Sequence, residues 1–331
     1  MRGGKERAGM TDAEVRFHNR IEDLAELDYH ATSPFDRSDW FQRLADHGET
    51  PIVADYRKED SRCALVLRRR DGGLKACNHP FAFSWRPLGQ PNASSLRALA
   101  DALRQRASHL AFDGLAEVDS LARAFRSAGW WTRIEETDRN HVLFVEGRNF
   151  DQYWKSRPGP LRTSVKRKAS KVRVETRKSF DEAIWSAYRT VYENSWKPEE
   201  QFDLLSDFIR AECEAGRGRL GLAWLGDTPV AAQFWTIENA TAFIHKLAYD
   251  ERHAKISAGT VLTAAMFRQA IDEEDVQTID FGTGDDAYKT DWMEVVRPRF
   301  RLTALNPRQA GAFRWLGGKI GGKVARLLRR R

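Results

Sequence analysis

Two neighbouring stretches carry residue types that could do chemistry. In LAYDERHAKISAGTVLTAAMF, residues 247–267, an apolar strand-like run ends at Tyr249 and a polar loop brings Arg252, His253 and Lys255. Ser257-Ala258-Gly259-Thr260 then opens an apolar run patterned as a helix. Free N–H groups at a helix start, small residues that admit a ligand and nearby cations make an anion site suited to a pyrophosphate. A capped helix after a polar loop has the same appearance. The loop has neither the Gly-Lys-Ser/Thr ending of a P-loop nor the GxGxxG of a dinucleotide site. The second stretch, IDFGTGDDAYKTDW at 279–292, is not a calcium loop, which sets carboxylates at alternating positions before its glycine; here the glycines come early. It is no phosphate cradle either, because its adjacent aspartates repel an anion. No metal site is expected.

Cations are concentrated in two segments. Residues 155–178 hold ten Lys/Arg against one acid, Glu175, and residues 307–331 hold eight and no acid, within a chain of net charge +7. The rest of the chain is therefore acidic, which fits local anionic partners better than a uniformly basic, DNA-coating surface. The stretch 162–173 reads either as a solvated helix face or as a clamp for a nucleotide 3′-phosphate, an anionic acceptor or lipid head groups. In the tail, Phe313, Leu316, Ile320, Val324, Leu327 and Leu328 recur at helical spacing, with Arg314, Lys319, Lys323 and Arg326 off that stripe. This is the pattern of a basic amphipathic helix lying in an anionic membrane interface. Gly317, Gly318, Gly321 and Gly322 each cost about 1 kcal/mol of helix propensity relative to Ala, so order on a surface is expected rather than in water.

These residues must be positioned by a chain of 331 residues, long enough for two domains with cores of their own. Three cysteines with no CxxC pair imply neither a disulfide framework nor zinc, and a reducing cytoplasm is expected. The polar N-terminus lacks an apolar signal region, and no run approaches the roughly 18 apolar residues that span a bilayer. Periodicity predicts helices over 12–29, 36–47, 95–108 and 117–128, with strands at 52–56, at HLAFDGL and at WWTRIEE and HVLFVE. A hairpin, CALVLRRRDGGLKACN, turns at Asp71-Gly72-Gly73. In the second half come a helix over 180–195, strands RLGLAWL, PVAAQFWTIE and ATAFIHKLAYD, a helix over 258–271, then strands TIDFG and FRLTALN. The same order of elements in both halves predicts an α/β (mixed α+β) fold made of a tandem duplication.

Taken together, LRTSVKRKASKV (161–172), YENSWK (192–197), HKLAYDERHAKISAGTVL (245–262) and DFGTGDDAYKTDW (280–292) resemble the GNAT superfamily, and within it the CelD/BcsL-like acyltransferases related to the FemAB peptidyltransferases. The superfamily's usual Q/R-x-x-G-x-G/A pyrophosphate loop is absent; Ser257-Ala258-Gly259-Thr260 stands in its place. The resemblance implies tandem GNAT-like domains, each a mixed central sheet flanked by helices: a degenerate one over 1–148, a catalytic one over 149–306 and the basic tail over 307–331. It also implies transfer of an acyl group from acyl-CoA, a co-substrate rather than a bound cofactor, to an amine by direct attack. Arg252, Lys255, Ser257, Ala258, Gly259 and Thr260 would hold the CoA. Such transfer needs a base for the ammonium, donors for the oxyanion and an acid for the thiolate.

His245 is the first choice for the base, Asp280 and Asp285 are rivals, and Tyr288 is suited to the acid. Trp196, Lys246, Lys289 and Trp292 would meet the acceptor. Lys246 and His245 alternate across a regular strand, so either one is structural or the strand is bulged there. Gly282 and Gly284 would bend the chain to turn Asp280, Asp285 and Tyr288 toward the cleft. The expected activity is N-acylation of a membrane-associated amine, a sphingoid long-chain base giving a ceramide, at the inner face of the cytoplasmic membrane through 313–331. The alternatives are an amino-sugar acetyltransferase of exopolysaccharide formation, a FemAB-like aminoacyl-tRNA-dependent ligase and a non-catalytic accessory protein. Nucleic acid ranks low as a partner.

Overall fold

The computed structural model describes residues 13–312 other than 60 and 199. The described residues divide into two compact units, 13–137 with 299–312, and 138–298. The expected boundaries at 148/149 and 306/307 differ from these because the closing strand of each sheet comes from a distant part of the chain.

In the first unit the chain runs through β1 (Glu14–His18), α1 (Ser38–Asp46), β2 (Ile52–Lys58), β3 (Ser61–Arg70), β4 (Gly73–Ala76), the short β5 (Leu88–Gly89), α2 (Ala93–Leu103), β6 (His109–Leu115), α3 (Asp119–Ser127) and the start of β7 (Trp131–Phe144). β1 to β4 follow one another antiparallel, and β4 meets β6 parallel through Leu74↔Leu110 and Lys75↔Ala111. The outer place beside β6 is filled by residues 300–305 of β13 (Val295–Leu305). Aromatic rings fill the core, Phe112 edge-on to Phe125 and tilted against Trp85, and Phe125 tilted against Trp130. The indole N–H groups stay satisfied, Trp85 donating to Val66 O at 3.2 Å and Trp130 to Ala100 O at 3.0 Å.

The second unit contains α4 (Phe150–Lys155), α5 (Gly159–Lys168), β8 (Arg173–Arg177), α6 (Glu182–Glu193), α7 (Phe202–Glu214), β9 (Gly218–Leu225), β10 (Thr228–Glu238), β11 (Thr241–Tyr249), α8 (Ala258–Arg268) and β12 (Thr278–Thr283). β8 to β11 are antiparallel neighbours, β11 meets β12 parallel, and residues 140–144 of β7 close the sheet antiparallel to β12. Successive strand residues point to opposite faces, so Phe234, packed on Phe208 of α7, and Trp235, packed on Phe267 of α8, show that α7 and α8 cover opposite faces. The α8 face holds an apolar cluster that includes Leu143, Phe150, Tyr153, Ile244, Val261, Leu262, Ile279 and Phe281.

Three expectations about elements are corrected. The predicted helix over 12–29 is a strand followed by 3-10 turns at Glu22–His30, burying Leu24 and Leu27. WWTRIEE and HVLFVE belong to one continuous strand, and a second helix, α7, separates α6 from the hairpin. No helix among the described residues is long and apolar enough to cross a membrane. The amphipathic pattern at 313–331 lies outside the described residues.

Candidate active site at the fork of β11 and β12

β11 and β12 are paired only from Thr241↔Thr278 to Phe243↔Asp280, although β11 continues to Tyr249 and β12 to Thr283. The two parallel strands part, and the β11 edge beyond Phe243 makes no ladder with β12. At the point of parting β11 is bulged: Phe234 pairs with Lys246 and Trp235 with Ile244, leaving His245 as the extra residue. The bulge puts His245 and Lys246 on one face. His245 meets Phe208 of α7, while Lys246 reaches Glu200, in the segment just before α7. The strand is thus bulged there, one of the two alternatives that the alternation pattern leaves open.

On that face Glu200 accepts from Lys246 Nζ at 2.7 Å and from the Tyr192 hydroxyl at 2.6 Å. Burial lowers the Lys246 pKa, and Glu200 opposes the shift. Burial and then Glu200 push the Tyr192 phenol up, so its proton stays on the oxygen. Lys197 lies over the Tyr192 ring at 5.9 Å and the Trp196 ring at 5.8 Å. Burial, then repulsion from Lys246, brings its pKa down to about 8. Trp196 stays half exposed and rests on Tyr249 at the end of β11, ring centroids 4.6 Å apart.

The other arm is the turn after β12. Asp280 is buried and accepts from Asn140 Nδ2 at 2.6 Å and from Gly282 N at 2.8 Å, with Arg297 at 3.5 Å. Gly282 (φ +71°) and Gly284 (φ +97°) take the left-handed backbone that turns the chain out of the strand. Lys289 is buried; its ammonium donates to the carbonyls of Thr283 and Gly284 and ties the turn closed. Burial lowers its pKa, against the pull of Asp286. Tyr288 stands edge-on to Phe281 at 5.7 Å, and partial burial followed by the Asp286 carboxylate pushes its phenol up. Asp285 faces solvent and pairs with Arg139 at 3.1 Å; buried His141 lies 3.6 Å from it with no hydrogen bond to either ring nitrogen. Burial and then Lys289 lower the His141 pKa.

α8 starts after Ser257, whose left-handed φ of +52° turns the chain into the helix and whose side chain makes no cap. Lys168 at the end of α5 instead donates to Ser257 Oγ at 2.6 Å, which brings the basic stretch to this helix start. Arg252 is turned onto Asp250, its Nε 2.9 Å from Oδ1, and the hydrogen bond holds the Asp250 carboxyl below its usual range. Lys255 is exposed on the same loop, and Ala258 is buried beneath the helix start with Gly259 and Thr260 partly open.

The fork thus brings together His245, Lys246, Trp196, Tyr288, Lys289 and Asp280, with Ser257 to Thr260 at the start of α8. Two expected placements differ. His245 is wedged among Phe208, Phe234 and Phe243, its Nε2 2.7 Å from Thr236 Oγ1, which is the surrounding of a packed ring rather than of a base facing a substrate. Trp292 is a core residue against Phe267 and Trp154, and its carbonyl accepts from Tyr153 Oη at 2.8 Å, so it walls no acceptor site. Lys197, Glu200, Tyr192 and His141 were not singled out from the sequence. Four of the ten cations at 155–178 have structural acids: Arg157 meets Glu294, Arg173 and Arg177 meet Glu175, and Lys178 meets Glu274. Lys166, Arg167 and Lys171 are exposed and meet no acid among the described residues.

Residues 161–290 match the acetyltransferase (GNAT) domain family. No curated protein matches the chain. Among solved structures it is similar to FemX, with TM-score 0.62 at 11% identity over 87% of this chain and 96% of that one. L-PGS from Bacillus licheniformis gives 0.60 at 13% identity, over 95% and 98% of the two chains. A tandem GNAT protein from the clavulanic acid biosynthesis pathway gives 0.51 at 13% identity, over 89% and 100%. At such identities the likeness is one of fold, and the fold is tandem and GNAT-like, with an acyltransferase domain over the segment that contains the fork.

Proposed function

We propose, from the premise that the chain is an N-acyltransferase with a GNAT domain at 161–290, that it transfers an acyl group from acyl-CoA to the amine of a membrane-associated acceptor. The observation that carries this reading is the parting of β11 and β12 above the open start of α8. The pyrophosphate would take the free N–H groups of Ala258, Gly259 and Thr260, with Lys168 and the exposed Lys166 and Lys171 as counter-charges. The pantetheine arm would lie in the fork, along the part of β11 beyond Phe243 that makes no ladder with β12, where backbone N–H groups would serve the oxyanion of the tetrahedral intermediate. Tyr288, which keeps its proton at neutral pH, is suited to protonate the departing thiolate. The acceptor would enter from the α6/α7 side, where Trp196 and Lys246 line the approach.

For the acceptor we propose a sphingoid long-chain base, on the amphipathic, cationic sequence of 313–331 and the unpaired lysines of α5 and the turn after it. Acetyl-CoA and palmitoyl-CoA, each offered with sphinganine or an amino sugar, test this by thiol release and product mass. Release with palmitoyl-CoA and sphinganine, and the mass of the amide, is the expected result. Amino-sugar product would move the protein to polysaccharide acetylation. Absence of thiol release, together with strongly salt-dependent tRNA binding, would replace acyl-CoA with aminoacyl-tRNA.

A further inference from the structure

The reaction proposed above needs a group that removes a proton from the acceptor's ammonium, and most titratable side chains at the fork are already committed. His245 is held by Thr236 among three aromatic rings. Glu200 accepts from Lys246 and Tyr192, Asp280 accepts from Asn140 and Gly282 N, and the Lys289 ammonium is spent on two carbonyls. His141 is buried under the turn. Lys197 differs from all of these. Its Nζ meets two aromatic faces and, among the described residues, neither a carboxylate partner nor a hydrogen-bond acceptor. It stands where both arms of the fork act on it, Lys246 and Glu200 from the β11 side and Lys289 and Asp286 from the turn after β12.

We propose that Lys197 is the catalytic base, taking the proton from the acceptor ammonium on the α6/α7 side of the fork. An ammonium withdrawn from water with no carboxylate bonded to it gives up its proton more readily than an exposed lysine, the neighbouring Lys246 charge acts in the same direction, and the attraction of the two rings only partly opposes them. Both causes agree with its pKa of about 8, against the ordinary 10.5. The neutral amine of Lys197 accepts one proton from the substrate ammonium. The freed nitrogen attacks the thioester carbonyl, forming the C–N bond and a tetrahedral intermediate. That intermediate loses a second proton to water as the C–S bond breaks. The thiolate leaves as CoA and is reprotonated, with Lys197 ammonium restoring the proton it took, directly or through Tyr288. One proton is released per turnover, as amide formation from an ammonium requires.

The inference rests on the acyl-CoA reading, and the test separates the two. Lysine labelling by acetic anhydride, followed by mass spectrometry across pH in the full chain, reports Lys197 without any substrate; a reactivity midpoint near 8 is expected, against about 10.5 for surface lysines. Lys197→Arg keeps the charge over the rings but cannot lose its proton at working pH. With palmitoyl-CoA and sphinganine it should lose about 100-fold or more in kcat with little change in KM, the order of a general base. The wild-type rise of kcat/KM through pH 8 should vanish with it. A Lys197 midpoint near 10.5, or a Lys197→Arg enzyme within threefold of wild-type kcat, overturns the assignment while leaving acyl transfer standing. A wild-type protein that releases thiol from no acyl-CoA takes down the acyl-CoA reading and the assignment with it.

Discussion

The two units share a strand order and differ at one decisive place. In each, four antiparallel strands lead to a parallel pair joined through a helix, and an antiparallel strand closes the sheet. In the first unit the parallel pair is made by β4, which is four residues long, and it has no arm left over to part from β6. In the second, β11 runs six residues past its last rung with β12. The helices differ in the same sense. α2 has its N-terminus closed by a capping box, Asn92 Oδ1 accepting from Ser95 N and Ser95 Oγ accepting from Asn92 N, both at 2.9 Å. α8 has no side-chain cap, and its first turn is left to other donors and acceptors. A helix start that satisfies itself has little to offer an anion, whereas an uncapped one keeps its N–H groups available. One architecture thus yields a closed copy and an open one through strand length and a cap.

The comparison breaks most readily at Gly259. A carboxylate placed there stands against the positive end of α8. Gly259→Glu should weaken CoA binding about 100-fold, some 2.7 kcal/mol, by titration calorimetry. Space is not the obstacle, since a Cβ would lie 3.5 Å from the Tyr249 ring, and an acid in a first helical turn favours the helix, so the melting temperature should not fall. Unchanged CoA affinity would show that the open start is not the phosphate site. The second unit is also pinned by Glu274, which takes Arg219 through two 2.8 Å contacts and Lys178 through one. The hydrogen bond from Arg219 brings its pKa to about 2, below the usual 4.5. Its contribution is complete above the unfolded value and is lost as pH falls from about 4.5 to 2. Glu274→Gln should cost about 2 kcal/mol at pH 7 in denaturant melts, allowing for solvent screening, and should flatten the acid dependence in that window. Smaller again is Lys168→Ala, expected to weaken CoA about tenfold without altering the melt, because it removes a counter-charge and one hydrogen bond to Ser257.

How much of this could be read from residues alone varies with the range of the interactions. The hairpins, β6, β12 and α8 follow from local alternation, turn residues and helical spacing, and the position of the α8 start after a polar loop is readable in the same way. β1 reads as helix because Val15, Ile21, Leu24 and Leu27 mimic a helical face, while its strand form depends on pairing with β2 nearly forty residues on. α7 was legible in FDLLSDFIRAECE, where Leu204, Leu205, Phe208 and Ile209 keep helical spacing and are buried. The bulge that makes neighbours of His245 and Lys246 depends on the register with β10, and no local pattern announces it. Lys197 was the hardest: its lack of an acid follows from Glu200 being taken by Lys246 and Tyr192, three elements meeting in space. His141 alternates inward with Leu143, which was readable, but the Asp285 and Lys289 that surround it lie about 140 residues away.

The smallest effect tests the closed copy itself. If the capping box of α2 serves only the fold, removing it should be felt in stability and nowhere else. Asn92→Ala leaves Ser95 N without its acceptor, while the bond from the residue 92 backbone N–H to Ser95 Oγ is kept, a loss of about 1 kcal/mol for a helix cap of this kind. The first unit should melt a few degrees lower, while CoA affinity and kcat/KM stay at wild-type values. A gain of CoA binding in Asn92→Ala would mean that the cap alone had been keeping an anion site shut, and that the two copies differ in less than their strand lengths imply. An unchanged affinity, beside the collapse expected for Gly259→Glu, would assign the difference to the arm of β11, because an uncapped helix start gains a phosphate ligand only where a strand also parts to hold the rest of the molecule.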